Sequence, residues 1–189
     1  MKNIISIIPA RGGSKSIPKK NIKPFLNHPR LFGNFLQSLN TPEISDTYVT
    51  SDSKEILNIA ATSGAKIIKR PKKLSKDTSS TESAINHAIE TLSKKPDLIV
   101  LLQPTSPLRK PTDISNAINT LLNNHYDSLF TATKLEDFLI WKKNGNKFQS
   151  VNYDYTNRSR RQDRTPEYVE NGSIYIFKSE LIKTLNNRI

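Results

Sequence analysis

Ile4-Ile5-Ser6-Ile7-Ile8-Pro9-Ala10-Arg11-Gly12-Gly13-Ser14-Lys15-Ser16-Ile17-Pro18-Lys19-Lys20-Asn21 runs from an apolar stretch straight into a loop rich in glycine, proline and cations. The apolar part, Ile4–Pro9, reads as a buried first strand, far too short to span a membrane. Open α/β sheets receive ligands at the carboxyl ends of such strands, where the loop begins. Gly12 and Gly13 let the backbone approach phosphate oxygens, and Arg11, Lys15 and Lys20 supply positive charge. Lys19 taken alone reads as a solvated cation. Ser14 stands where a P-loop requires glycine before its lysine, and the dinucleotide fingerprint is not matched either.

Outward from this segment, strand-like and helix-like stretches alternate. A helix is predicted over Leu31–Leu39, a strand at Thr47–Ser51 and a helix at Ser53–Ala61, with Asp52 and Glu55 spaced as an N-terminal cap. Ala65–Lys69 reads as the third strand. Ala84, Ile85, Ala88, Ile89 and Leu92 share one helical face, preceded by a capping-box pattern at Ser79 and Glu82. Asp97–Leu102 suits a central parallel strand. Ile114, Ala117, Ile118, Leu121 and Leu122 repeat the helical stripe, and Ser128–Thr133 supplies another strand. The alternation predicts an α/β fold with a mostly parallel sheet. Beyond Glu136 a hairpin is expected, Phe138–Lys143 with Lys147–Tyr153, turning at Asn144–Gly145. An Arg-rich loop then runs to Asn171, followed by a strand at Ser173–Phe177 and a short helix near Ser179–Leu185. Residues 1–189 read as one domain, with about 136–155 as a small excursion.

The chain has 189 residues, no cysteine and a formal net charge of +12. Absence of cysteine excludes a disulfide scaffold and thiolate metal sites. No signal-peptide pattern opens the sequence, and the expectation is a cytoplasmic protein without a membrane partner. The positive charge invites a nucleic-acid reading through Arg158–Arg164. Lysine is spread along the whole chain, however, the neighbouring aromatics Tyr153, Tyr155 and Tyr168 are few, and no basic recognition helix is evident, so no nucleic-acid partner is expected. His28 and His125 read as loop residues and His87 as a helix-surface residue. None is assigned a proton-transfer role.

Two further segments carry chemistry. Gln103-Pro104-Thr105-Ser106-Pro107-Leu108-Arg109 ends a buried strand with two prolines, two hydroxyls and an arginine. The prolines fix the loop and remove backbone donors, leaving polar contacts to side chains. A plain strand-to-helix turn accounts for the same residues equally well. Arg160-Arg161-Gln162-Asp163-Arg164, followed by Asn171-Gly172-Ser173-Ile174-Tyr175-Ile176, sets an arginine cluster before a strand, a pattern suited to bidentate capture of a carboxylate. A surface basic patch and a simple Asn171–Gly172 turn are the plainer readings.

Taken in order, the three segments resemble the acylneuraminate cytidylyltransferase family, which activates sialic acid and its bacterial relatives. The resemblance covers nearly the whole chain. It implies a Rossmann-like nucleotide-diphospho-sugar transferase fold with a small hairpin excursion that serves dimerisation. It also implies transfer of CMP from CTP to the anomeric hydroxyl of an acidic nine-carbon sugar, with loss of pyrophosphate. Arg11, Gly12, Gly13, Ser14, Lys15, Lys20, Asn21, Arg70, Ser79 and Ser80 would hold the nucleotide, with Arg11, Lys15 and Lys20 acting on the reacting phosphates. Gln103, Arg161 and Lys134 would hold the sugar, whereas Ser106 and Arg109 would organise their loop. A homodimer is implied, with Trp141 as a contact or as a local apolar anchor.

The resemblance also implies catalytic Mg2+. Family members continue past the end of this sequence with two aspartates spaced i, i+2 that hold the metal, and the chain contains no Asp-x-Asp. The expectation is therefore a member shortened at its C-terminus, with metal ligands unassigned. Val169–Glu170 stands where some relatives carry Arg–Pro. The spelling Arg-Arg-Gln-Asp with Asn-Gly-Ser-Ile-Tyr is closer to a legionaminate- or pseudaminate-type branch, in which some enzymes use GTP. A 3-deoxy-octulosonate enzyme is the neighbouring alternative, although its opening loop usually reads Leu-Gly-Ser-Thr-Arg.

Overall fold

The computed structural model describes residues 2–13, 17–25, 27–136 and 138–189. Its elements in chain order are β1 (Ile4–Pro9), β2 (Pro24–Phe25), β3 (His28–Pro29), α1 (Arg30–Leu39), β4 (Asp46–Ser51), α2 (Lys54–Thr62), β5 (Lys66–Lys69), α3 (Thr81–Glu90), β6 (Leu98–Leu102), α4 (Pro111–Asn123), β7 (Ser128–Leu135), β8 (Trp141–Asn144), β9 (Lys147–Ser150), β10 (Glu167–Lys178) and α5 (Ser179–Thr184). Short 3-10 turns lie at Lys72–Leu74 and Arg161–Asp163. The chain divides into two compact units: Met1–Thr131 with Gly172–Ile189, and Ala132–Asn171.

The six-stranded sheet has the order β5-β4-β1-β6-β10-β7. β1 pairs in parallel with β4 on one side and β6 on the other, β5 pairs in parallel with β4, and β10 runs antiparallel to β6. The expected α/β fold with a mostly parallel sheet is therefore present. From β1 the chain builds outward through β4 and β5, then crosses to β6 on the opposite side of β1. The β1/β6 boundary is consequently the topological switch point, where α/β sheets open a crevice at their carboxyl ends.

The strand periodicity of two explains the two apolar layers. Ile4 and Ile8, with Leu98, Val100 and Leu102, face Leu31 and Phe35 of α1, Ile56 of α2 and Ile114 and Ile118 of α4. Ile5 and Ile7, with Ile99, Leu101 and Phe177, face Ile85 and Ile89 of α3 and Ile182 of α5. A buried hydroxyl chain crosses the first layer, Ser6 Oγ to Ser38 Oγ at 2.5 Å and Ser38 Oγ to Thr47 Oγ1 at 2.7 Å, so these polar atoms satisfy one another. On the other layer Arg188 lies over the Tyr175 ring, 4.7 Å from its centroid, and donates to Glu82 in the first turn of α3.

Several boundaries differ from expectation. Ser53, not Asp52, caps α2, its Oγ accepting from the Ile56 N–H. Likewise Ser80, not Ser79, caps α3 by accepting from the Ser83 N–H. The strand expected at Ser173–Phe177 begins at Glu167, so Asn171–Gly172 lies inside β10 and is not a turn. The residues added at its start are mostly exposed, which removes the alternation that marks a half-buried strand. His28 belongs to the two-residue strand β3 and stacks on Phe32 at 4.8 Å. Within the second unit the hairpin is shorter than expected, Trp141–Asn144 with Lys147–Ser150, and Gly145 takes φ +59 at its turn.

Arg109 ties the first unit together below the loop that follows β6. It is 8% exposed. Its Nε donates to Ser173 Oγ at 3.0 Å, Nη1 to Asn34 Oδ1 at 2.6 Å and Gln37 Oε1 at 3.4 Å, and Nη2 to the Gln103 carbonyl at 3.0 Å. Burial lowers its pKa to about 10, opposed by the charge of Asp113. One cation thus joins α1, the end of β6 and β10. Arg109→Met is expected to lower stability by about 3 kcal/mol, because it orphans several buried acceptors at once. A urea-unfolding midpoint measures this, and Arg109→Lys should restore little, lacking the planar fork.

Candidate active site

At the carboxyl ends of β1, β5 and β6 lies a pocket of about 290 Å3. Pro9 enters it from the last position of β1 and Arg11 and Gly13 from the loop after it, with Lys20 and Asn21 following. Arg70 comes from the end of β5, Lys76, Asp77, Ser79, Ser80 and Thr81 from the approach to α3, and Gln103, Pro104 and Thr105 from the end of β6. Three separate strand ends therefore converge on one space, as the sheet topology requires.

The loop after β1 is held by its own polar groups. The Gly12 N–H donates to Asp52 Oδ1 at 2.9 Å, and Asn21 Nδ2 donates to the Arg11 carbonyl at 2.9 Å. A Cβ on Gly12 would meet Ser53 Cβ at 2.9 Å, so glycine is required there by internal packing against the start of α2. Gly12 does not line the pocket, whereas Gly13 does and has open space around it. Arg11 Nη1 lies 2.7 Å from Asp77 Oδ1. Ser14 and Lys15, both expected in the site, lie outside the described residues.

Arg70 is the unusual group. Its N–H donates to the Ser51 carbonyl at 2.8 Å, continuing the β4–β5 ladder. The side chain is 6% exposed, yet its Nε and Nη2 have no hydrogen-bond partner among the described residues. Burial pulls its pKa below the usual guanidinium value; Asp52 opposes that shift and Arg11 adds to it. A buried cation with unpaired donors in the wall of a pocket suits the oxygens of an anion.

The serines divide their work. Ser79 Oγ donates to the Lys73 carbonyl at 3.2 Å and accepts the Lys76 N–H at 3.2 Å, so it shapes the loop. Ser80 Oγ accepts from Ser83 N at 3.1 Å as the cap. The N-terminal end of α3 thus faces the pocket with its positive dipole end. Sequence reading missed Lys76, Asp77 and Thr81. Their signal was the polar run Lys76–Thr81 immediately before an amphipathic helix.

Gln103 lines this pocket, and the loop after it is fixed from several directions. Arg30 Nη2 donates to the Thr105 carbonyl at 3.0 Å, Gln37 Nε2 to the Pro107 carbonyl at 2.7 Å, and Ser106 Oγ to the Gly172 carbonyl at 3.5 Å. Gly172 has φ +67, and a Cβ there would stand 3.4 Å from Gln103 Oε1. Ser106 and Arg109 accordingly organise the loop, as expected. Lys134 and Arg161 lie in the second unit, lining a pocket of about 360 Å3 with Glu136, Asn152, Arg164 and Glu167. Arg161 Nη2 donates there to Glu136 Oε2 at 3.0 Å, and Asn152 Nδ2 to Glu167 Oε2 at 2.7 Å.

Among the described residues no three His, Cys, Asp or Glu side chains come together as a metal group. Near the first pocket, Asp52 accepts from Gly12 and Asp77 from Arg11. These two carboxylates alone do not make a magnesium cage. Removing the unpaired charge should separate fold from function: Arg70→Met is expected to raise the urea midpoint by the equivalent of about 1 kcal/mol. The same variant should lose pyrophosphate binding, measured by calorimetry.

A family profile described as Cytidylyltransferase matches residues 5–186. N-acylneuraminate cytidylyltransferase A of Danio rerio is 34% identical over 96% of this chain, which spans 43% of that relative's length. Pseudaminic acid cytidylyltransferase of Campylobacter jejuni is 35% identical over 95% of this chain and 80% of its own. In fold, the chain superposes on a CMP:2-keto-3-deoxy-manno-octonic acid synthetase complexed with CTP with a TM-score of 0.75 at 16% identity, covering 97% of this chain and 77% of that one. With the profile matched over nearly its whole length and a relative 35% identical over most of both chains, the chain belongs to the cytidylyltransferase family.

Proposed function

We propose that this chain transfers CMP from CTP to the anomeric hydroxyl of a sialic-acid-like nonulosonate, releasing pyrophosphate. The observation that carries the reading is Arg70, a buried guanidinium with two unpaired donor atoms in a pocket that also holds Arg11 and Lys20. The names of the relatives supply the reaction class: N-acylneuraminate and pseudaminic acid cytidylyltransferases.

In this reading Arg11, Arg70 and Lys20, with Lys15 and Ser14, grip the triphosphate. Negative charge grows on the phosphate oxygens as the sugar hydroxyl attacks the α-phosphorus and pyrophosphate departs. Fixed cations and the N-terminal end of α3 stabilise that charge without reorganising. Asn21, Ser79 and Ser80 orient the nucleotide, directly or through the loops they hold. Gln103, stiffened by Pro104 and the Arg109 tie, contacts the sugar, and Arg161 with Lys134 captures its carboxylate. Magnesium would enter on the triphosphate, since it binds phosphate oxygens and water with few protein ligands. The chain would work in the cytoplasm, and no helix among the described residues is long and apolar enough to cross a membrane.

A homodimer forms part of the proposal. Phe138, Trp141, Phe148 and Tyr155 of the second unit are 68%, 43%, 64% and 61% exposed, an apolar surface suited to a second copy. Trp141 packs against Tyr153 and Tyr155 with ring centroids 5.8 and 5.6 Å away. Sedimentation of the wild type should give a dimer and of Trp141→Asp a monomer.

The reaction is tested by pyrophosphate release from CTP with N-acetylneuraminate, legionaminate, pseudaminate and 3-deoxy-octulosonate, with GTP as the control nucleotide. Release is expected with a nonulosonate and CTP. Arg11→Ala should lower kcat/KM by about 100-fold, in the range for removing one charge-stabilising donor. Arg161→Ala should raise the KM for sugar and spare CTP binding. Release with 3-deoxy-octulosonate alone, or with GTP alone, would replace this reading.

A further inference from the structure

Among the residues lining the first pocket, Asp77 is the one acid in company with Arg11, Lys20, Arg70 and Lys76. Its carboxylate accepts from Arg11 Nη1 at 2.7 Å. Asp77 does not cap α3, because Ser80 does. Asp52, the other carboxylate near the cations, accepts the Gly12 N–H and is a backbone brace. Asp77 is thus placed where its negative charge opposes the binding of any anion the cations gather.

The side chains of Arg11 and Asp77 are 37% and 40% exposed. An ion pair screened by water to that extent is weak, enough to orient a guanidinium but too little to hold it against a polyphosphate. A polyphosphate brings more charge and can take the guanidinium by two oxygens at once. We propose that Asp77 is a displaceable counter-ion for Arg11: it presents Arg11 to the pocket, yields it to the incoming triphosphate, and reclaims it when pyrophosphate leaves. Asp77 is in this sense a positioning residue that moderates affinity in favour of turnover. The proposal rests on the nucleotide reading of this pocket.

The test titrates the full chain and its Asp77→Asn variant with inorganic pyrophosphate and with CTP by calorimetry, without divalent ions and at one ionic strength. Asp77→Asn is expected to bind pyrophosphate about fivefold more tightly, the scale of one exposed ion pair, with CTP following in the same direction. In turnover the variant should show a lower KM for CTP and a lower kcat as product release slows, a split that mere loosening of the loop would not give. Placing Asp77→Asn in an Arg11→Gln background should abolish the tightening. Equal or weaker pyrophosphate binding by Asp77→Asn, with CTP still bound by both proteins, overturns the counter-ion role alone. Failure of both proteins to bind CTP or pyrophosphate removes the nucleotide reading, and this proposal with it.

Discussion

A guanidinium buried under the loop that follows β6 is the constraint on which the pocket depends. Arg109 needs acceptors from all sides once it leaves water, and it finds them on α1, on Ser173 of β10 and on the carbonyl of Gln103. None of those groups could shift alone without stranding a donor. The position of Gln103 in the pocket wall is thereby set by a residue that lies beneath it. Rigidity of the two prolines adds to this, but the arginine fixes direction as well as shape.

Two arginines of the first unit are removed from water, and their partners separate their roles. Arg109 has protein acceptors for each of its three nitrogens and serves as a tie. Arg70 has a nearby carboxylate charge at Asp52 but orphaned Nε and Nη2 among the described residues, which is what the proposed receptor role rests on. The same side chain is a satisfied tie in one place and an unsatisfied cation in the other. Burial alone does not distinguish them; satisfaction of donors does.

The sheet was legible because β1, β6, α3 and α4 carry strong apolar periods that tertiary structure had no reason to override. The opening glycine and cation loop was likewise legible as a pocket wall by its place after a buried strand, and Arg11, Gly13, Lys20 and Asn21 do line that pocket. Less legible was α1: Asn34 and Ser38 are buried, whereas Leu36 and Leu39 are 42% and 41% exposed. The burial of Asn34 and Ser38 answers to Arg109 and to the Ser6–Ser38–Thr47 hydroxyl chain, both long-range partners that no local window contains. The caps slipped by one residue because adjacent polar residues, Asp52–Ser53 and Ser79–Ser80, offer equivalent oxygens, and neighbouring loops claim one of each pair. Asp77 and Lys76 escaped notice because only the folded chain brings their loop beside Arg11.

The second unit leaves the first after Thr131 and returns at Gly172. Near those two points Thr131 Oγ1 accepts the Ile174 N–H at 3.1 Å, so the exit and the return are side by side on neighbouring strands. The chain entropy lost in closing that gap rises only slowly with the length of polypeptide carried between its ends. Residues 132–171 therefore form a cassette. Its length and composition can drift, or be exchanged for another, while the order of elements that builds the first pocket stays the same. A fold built this way can vary one unit while the other keeps its order of elements.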